Sequence, residues 1–291
     1  MSIGLQYKDN QEVYTEKNVS GVPFLQYPLF ENTKVVNHGV STRLGGVSEG
    51  IYSSMNLSFT RGDKDECVLE NYKRMAAAVG VSPEKMVCSR QTHTTNVRIV
   101  TAEDAGKGVI RERDYDDVDG LVTNVPGICL VTFYADCVPL LFVDPVKRVI
   151  ASSHSGWRGT ASRMGQVTVE TMQREYGCRP EDILAAIGPS ICQDCYEVSE
   201  DVILEFQKSF AEELWKDLYY KKENGKYQLN LWKANEHVLL ESGILPEHLA
   251  VTNLCTCCNP DLLFSHRASG GKRGNLAVFL ALKEEAVNDV K

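Results

Sequence analysis

Apolar positions along the chain follow two periods. Leu69, Tyr72, Met75, Ala76 and Val79 recur at helical spacing and predict a helix over about 65–79, with Gly80 placed to close it. The same reading predicts helices over about 160–176, ended by Gly177 with Pro180 beyond, over 200–210, and over 231–241, stopped by Gly243 and Pro246. Between them lie strand-like runs at 34–40, 86–89, 96–100, 120–123, 128–134, 140–143, 149–153, 183–187, 250–254 and 276–282. Several are continuously apolar, the pattern of strands covered on both faces. A strand-rich middle with helices gathered after it reads as an α+β or layered α/β fold. No repeat, low-complexity tract or Pro/Gly/Ser-rich linker divides the chain, so residues 1–291 read as a single domain, with 1–20 a peripheral N-terminal segment.

Composition narrows the class. The 291 residues are 43% hydrophobic and 24% charged, which excludes disordered and fibrous chains. The formal charge of −8 is spread along the sequence and argues against a nucleic-acid partner. The N-terminus is polar from Gln6 onward, and the apolar run 127–143 is broken by Asp136 and Pro139, so neither an export signal nor a membrane span is expected. Ten cysteines without an export signal fit a reducing cytoplasm, where thiols stay free or bind metal.

Reactive side chains gather at predicted strand ends: Gln91-Thr92-His93, Ala135-Asp136-Cys137, and the run from His154 through Ser155, Gly156, Trp157 and Arg158 to Gly159. The runs ending at Cys137 and His154 are joined by a short strand and a turn, and are expected to neighbour each other in one sheet. Cys137, His154 and His93 could then converge. A thiolate and two imidazoles suit a zinc that keeps one position open for water. Cys137 as nucleophile with His154 as its base needs no metal. A plainly packed Cys and His is the third reading, since spacings of 44 and 17 residues match no local zinc pattern. Local chemistry does not choose among the three. Asp136, one residue before Cys137 on a strand, should point to the opposite face and act structurally.

Further motifs occur in a characteristic order: His38 to Ser48 (HGVSTRLGGVS), Asn56-Leu57, QTH, ADCVPL, HSGWRG, Ile187-Gly188-Pro189-Ser190-Ile191, Cys255-Thr256, and Phe264-Ser265-His266-Arg267. From about residue 22 to 282 the chain resembles the laccase-domain family, also called multicopper polyphenol oxidase or YfiH/YlmD-like proteins. The resemblance implies a layered αββα sandwich of α+β class with mixed sheets, shared with bacterial deamidating toxins. It implies zinc held by His93, Cys137 and His154, and phosphorolysis of adenosine, inosine, guanosine and methylthioadenosine together with deamination of adenosine. His93, Cys137 and His154 are thus expected to be catalytic, with purine nucleosides and phosphate as the small-molecule partners. Around the pocket it places His38, Asn56, Cys255 and His266, and offers Arg43, Arg158 and Arg267 as phosphate ligands, Arg43 first. Trp157 is expected as a buried indole rather than a purine platform.

Relatives often carry an arginine where this chain has Ala268, and a Gly-Arg pair where it has Arg273-Gly274-Asn275, which puts the C-terminal anion site in doubt. Copper is the less favoured metal, because no His-x-His pair occurs among six histidines. A Cys–His amidase or editing hydrolase acting on peptidoglycan precursors is the alternative to the zinc enzyme, and a copper-dependent polyphenol oxidase follows only the older family name. A monomer or weak homo-oligomer is expected. Cys192, Cys195, Cys255 and Cys258 form two C-x-x-C pairs, but their 60-residue separation is far wider than in a zinc ribbon, and a structural metal there is the minority reading.

Overall fold

A computed structural model describes residues 3–284. The strands, in chain order, are β1 (Thr15–Val19), β2 (Val22–Gln26), β3 (Val36–Ser41), β4 (Met86–Cys88), β5 (Val97–Ile99), β6 (Gly120–Thr123), β7 (Cys129–Tyr134) and β8 (Val138–Asp144). They continue with β9 (Val149–Ser155), β10 (Leu184–Ile187), β11 (Glu197–Val198), β12 (Tyr219–Lys221), β13 (Tyr227–Leu229), β14 (Leu249–Val251) and β15 (Leu276–Leu282). The helices are α1 (Pro28–Glu31), α2 (Asp65–Val79), α3 (Trp157–Ala161), α4 (Met164–Tyr176), α5 (Glu200–Ser209), α6 (Trp215–Leu218), α7 (Leu231–Glu241) and α8 (His266–Ser269). Among the described residues no helix is long and apolar enough to cross a membrane.

Two six-stranded sheets run β1-β2-β3-β15-β7-β4 and β14-β10-β8-β9-β6-β5, with a small third sheet β11-β13-β12. Both large sheets are mixed, since β4/β7, β5/β6 and β10/β14 pair in parallel and the other pairs are antiparallel. Period-two alternation explains their stacking. In β15, Leu276, Val278, Leu280 and Leu282 meet Leu141, Val143 and Ile150 of the other sheet, while Ala277, Phe279 and Ala281 face Val68, Tyr72 and Met75 of α2. In β8, Leu140 and Phe142 turn the other way, toward Val169 and Met172 of α4 and Val238 of α7. Helix, sheet, sheet, helix is therefore the layer order, and the fold is α+β.

Three expectations are corrected. The run 128–134 and the run ending at His154 do not share a sheet: β7 belongs to the first, β9 to the second, and residues 135–137 carry the chain across. Asp136 is therefore not on a strand; it sits in the crossover with φ 88°. The helix expected over 160–176 is two helices, because Arg163 at φ 60° breaks the run between α3 and α4. The β1–β2 hairpin, unread in the sequence, turns at Ser20 and Gly21, both at positive φ. Within the N-terminal segment, β1 is the sheet edge, Tyr7 bridges Leu254 and the Gln6 N–H donates to Asn259 Oδ1 at 2.7 Å.

The side chain of Phe279 is fully buried and meets Tyr72 edge-on at a centroid separation of 6.3 Å. Phe279→Ala should cost about 3–5 kcal/mol in urea unfolding, the range for an emptied aromatic site. A cost below about 1 kcal/mol would contradict this packing of α2 on the first sheet.

Candidate active site

The crossover at 135–137 opens a gap between the ends of β7 and β9, and three elements deliver a side chain into it. Cys137 comes from the crossover, His154 from β9, and His93 from the loop between β4 and β5. Their ligand-capable atoms all lie within 4.8 Å of one another, and the two imidazoles meet edge-on with centroids 4.9 Å apart. The β8/β9 register, with Val138 opposite Ser155 and Pro139 opposite His154, places Cys137 beside Gly156. A Cβ on Gly156 would stand 3.1 Å from Cys137 Sγ and 3.1 Å from His93 Cδ2, so glycine keeps the space among these groups open. The QTH loop is held by its first residue. Gln91 Nε2 donates to Phe133 O at 2.8 Å, and Gln91 Oε1 accepts from Phe133 N at 2.7 Å, which extends the edge of β7 by a side chain.

Asp119, which sequence reading did not single out, binds both imidazole-bearing segments. It is fully buried. Its Oδ1 lies 2.8 Å from His154 Nδ1 and accepts from His93 N at 3.1 Å, and its Oδ2 accepts from Thr92 N at 2.9 Å and Thr94 N at 3.1 Å. The backbone of Asp119 adds a bond, its carbonyl accepting from His154 N at 2.8 Å. These bonds hold His93 at φ 69°, a conformation that costs a non-glycine residue energy. With Nδ1 given to Asp119, His154 is left to present Nε2 to the gap, the arrangement common to metal-ligating histidines. Asp119 escapes notice in the sequence because it ends the acidic run Asp114 to Asp119, which reads as a solvated charge cluster.

Electrostatics couple these groups. Burial alone would push the Cys137 thiol up, but the His154 and His93 imidazoles override it and bring its pKa down to about 6. Burial would lower His154, but the Cys137 thiolate and Asp119 raise it to about 9. For Asp119 the burial penalty is outweighed by the hydrogen bonds from His154 and from the Thr92 and Thr94 N–H groups, which hold its pKa below the ordinary carboxylate value.

A cavity of about 450 Å³ stands over these residues, within the range of small-ligand pockets. Its walls include His93, Cys137, His154, Phe133, Arg61 and Arg273. The other expected pocket residues are elsewhere. His38 is packed between Tyr27 and Phe30, accepts from Tyr27 N at 2.8 Å, and is pushed by burial to a pKa of about 4. Arg43 donates to Ser53 O and Pro260 O at 2.8 and 2.5 Å with Phe264 under its guanidinium, so it braces loops. Arg158 is exposed over Trp157, whose ring packs against the helix-side core. Arg267 spends its guanidinium on Cys195 O and Glu197 O at 3.1 and 2.9 Å. Cys255 is fully buried and joins Cys192, Cys195 and Cys258 rather than the cavity mouth.

Two expected residues support the wall without forming it. Asn56 is fully buried, accepts from Asn275 N at 3.0 Å and donates to Asp63 Oδ2 at 2.9 Å, which sets the loop that carries Leu57 to Arg61. The exposed His266 has Nδ1 3.5 Å from an Arg273 guanidinium nitrogen. Asp136 acts structurally, accepting from Thr256 Oγ1 at 2.6 Å and Arg267 N at 2.7 Å behind Cys137.

In metal-stripped protein the thiolate–imidazolium pair should exist between about pH 6 and 9. The Cys137 contribution to stability is lost as pH falls through its lowered value, and the His154 contribution is lost as pH rises through its raised one. Alkylation of Cys137 by iodoacetamide should therefore show a midpoint near pH 6. Asp119→Asn should shift it upward, because His154 loses the charge that keeps it protonated. A midpoint near the ordinary thiol value of about 8.5 in the unmutated protein would contradict the pairing.

The family model described as multi-copper polyphenol oxidoreductase laccase matches residues 37–283. Purine nucleoside phosphorylase YlmD of Bacillus subtilis is 36% identical over 259 residues, 87% of this chain and 91% of that one. Adenosine deaminase RL5, from an unknown prokaryotic organism, is 35% identical over 237 residues, 80% of this chain and 89% of its own. The crystal structure of the Bacillus licheniformis hypothetical protein YfiH superimposes with a TM-score of 0.86 at 32% identity, covering 92% of this chain and 99% of that one. By sequence along most of its length, and by fold, this chain belongs to the multi-copper polyphenol oxidoreductase laccase family.

Proposed function

We propose that this chain is a zinc-dependent purine nucleoside phosphorylase that also deaminates adenosine. One observation carries the reading: a single cavity joins a His–Cys–His donor set to guanidinium groups that have no carboxylate partner among the described residues. Among the described residues Arg273, Arg61 and Arg113 make no ion pair, but Arg113 gives its guanidinium to Ser89 O at 2.6 Å, and Arg90, on the same wall, is tied to Asp116 at 3.1 Å. Arg273 is buried, its Nε finds no partner, and its guanidinium reaches only Gly274 O, the Asn275 side chain and His266. Burial first, and then the neighbouring Arg61, lower its pKa to about 10. Phosphate would satisfy both, so Arg61 and Arg273 replace Arg43 and Arg267 as the proposed phosphate ligands.

The donor set fits zinc. Two imidazoles, one oriented by Asp119, and a thiolate leave one tetrahedral position for water or substrate. Zinc held by His93, Cys137 and His154 would supply Lewis acidity that activates water near neutral pH. The protein's part is positional. Asp119 fixes the His154 ring and the backbone that carries His93, Gly156 keeps the space open, and Phe133 offers an apolar wall for a purine. In phosphorolysis, phosphate on Arg61 and Arg273 would attack the ribose C1′ as the bond to the base nitrogen breaks. In deamination, water adds at C6 of adenine and ammonia leaves. Adenosine, inosine, guanosine and methylthioadenosine belong to this substrate class.

The Cys137–His154–Asp119 alignment also favours a second reading, a Cys–His hydrolase acting on an amide. It gives His93 no role. His93→Ala should abolish adenosine turnover under the first reading and leave thiol-dependent hydrolysis largely intact under the second.

Product analysis with adenosine tests the proposal: adenine should form only with phosphate present, and inosine with or without it. Arg273→Gln should lower the phosphate-dependent rate roughly 10- to 100-fold, the size of a lost charged hydrogen bond, and leave inosine formation largely unchanged. Equal loss of both activities, or of neither, would contradict the phosphate assignment. No turnover of any purine nucleoside by metal-loaded protein would contradict the reading itself.

A further inference from the structure

Behind the cavity, the segment after β10 supplies Cys192 and Cys195, and the segment after β14 supplies Cys255 and Cys258. β10 and β14 are parallel neighbours, so both segments leave the same end of the sheet side by side. That pairing removes the objection raised by the 60-residue separation, because the sheet brings the two C-x-x-C pairs together. All four sulfur atoms lie within 4.8 Å of one another. Cys195 Sγ and Cys258 Sγ are 3.6 Å apart, close to the edge of about 3.8 Å for a tetrahedron with metal–sulfur distances of about 2.3 Å. A disulfide would need about 2.05 Å, and all ten cysteines are free.

The surroundings suit a thiolate centre. The Cys192 N–H donates to Cys255 Sγ at 3.2 Å, and Gln193–Cys195 forms a tight turn between the first two thiols. Lys8, held by Asp194 at 3.1 Å, places its ammonium where it feels Cys192 and Cys258. Cys192 and Cys255 are buried, while Cys195 and Cys258 are partly exposed, so the sulfur cage has a closed floor and an accessible side. Four sulfurs in this arrangement select zinc over hard cations.

We propose that Cys192, Cys195, Cys255 and Cys258 hold a structural zinc ion, separate from the His93–Cys137–His154 group. The ion cross-links the two segments that position Asp136. Ile191 N donates to Asp136 O at 3.0 Å, and Thr256 Oγ1 donates to its carboxylate at 2.6 Å. Asp136 precedes Cys137, so the zinc braces the chain crossover from behind.

The test is metal content in a double variant, Cys137→Ser with His93→Ala, which leaves the four cysteines untouched. Purified without added metal, it should retain about one zinc per chain by elemental analysis. Replacing that zinc with cobalt should give the intense thiolate-to-cobalt absorption and visible bands of a tetrahedral four-sulfur site. In the unmutated protein, Cys258→Ser should remove about one zinc per chain and lower the Tm. A metal-free double variant overturns the proposal, as does an alkylated intact mass showing Cys195 and Cys258 in a disulfide. The proposal stands apart from the catalytic reading. If zinc binds only at the four cysteines, the unmutated protein will carry one zinc that Cys137→Ser does not remove.

Discussion

The Asp119 carboxylate receives three backbone N–H groups of residues 92–94 and the Nδ1 side of His154. A buried carboxylate is costly unless its lone pairs are filled, and here they are filled by groups from two segments far apart in sequence. The arrangement orients the His154 imidazole and the backbone that carries His93 at once. It also forces a loop residue, His93, into a left-handed conformation that the backbone would not otherwise adopt. Cys137 needs no such support, since the crossover between sheets leaves it where the two histidines arrive.

That crossover explains why the site lies where it does. Strands β7 and β8 are consecutive yet belong to different sheets, so the chain must step between layers at 135–137. The step parts the sheets, and the gap is closed by residues whose role is polar rather than apolar. Asp136 faces back to Thr256 and Arg267, Cys137 faces forward, and β9 begins the motif that ends in α3. Within that motif Ser155 and Thr160 tie to Asn235 of α7, which fixes the end of β9 against the helical layer. The His93–Cys137–His154 end of the cavity is thus anchored on both of its layers.

Much of this was legible in the sequence. Helices α2 and α7 start and stop where periodicity and the following glycine indicate, and β6 and β15 coincide with their apolar runs. The His93, Cys137 and His154 convergence was legible from residue type and motif order. Sheet membership was not, because apolar runs do not say which layer they join. Asp119 was hidden in an acidic run. Arg273 was hidden because a buried, unpaired arginine is indistinguishable in sequence from a surface one, and Arg61 because it is an exposed arginine like many others. Arg43, Arg267 and His38 illustrate the converse, for motif residues can brace a pocket's loops, or sit in the core, without lining the pocket. Sequence separation argues against joining the two cysteine pairs, and it is a poor guide once parallel strands bring distant segments together.

Asp119 anchors the 92–94 backbone and the His154 ring so that His93, His154 and Cys137 meet as a candidate metal-holding set. Anomalous diffraction at the zinc absorption edge, on crystals of protein loaded with zinc, tests it most directly. A peak is expected among His93, Cys137 and His154, bonded to two imidazole nitrogens and one sulfur at about 2.0–2.1 and 2.3 Å, with His154 Nδ1 still on Asp119. No peak there, with the three side chains in place, would contradict it.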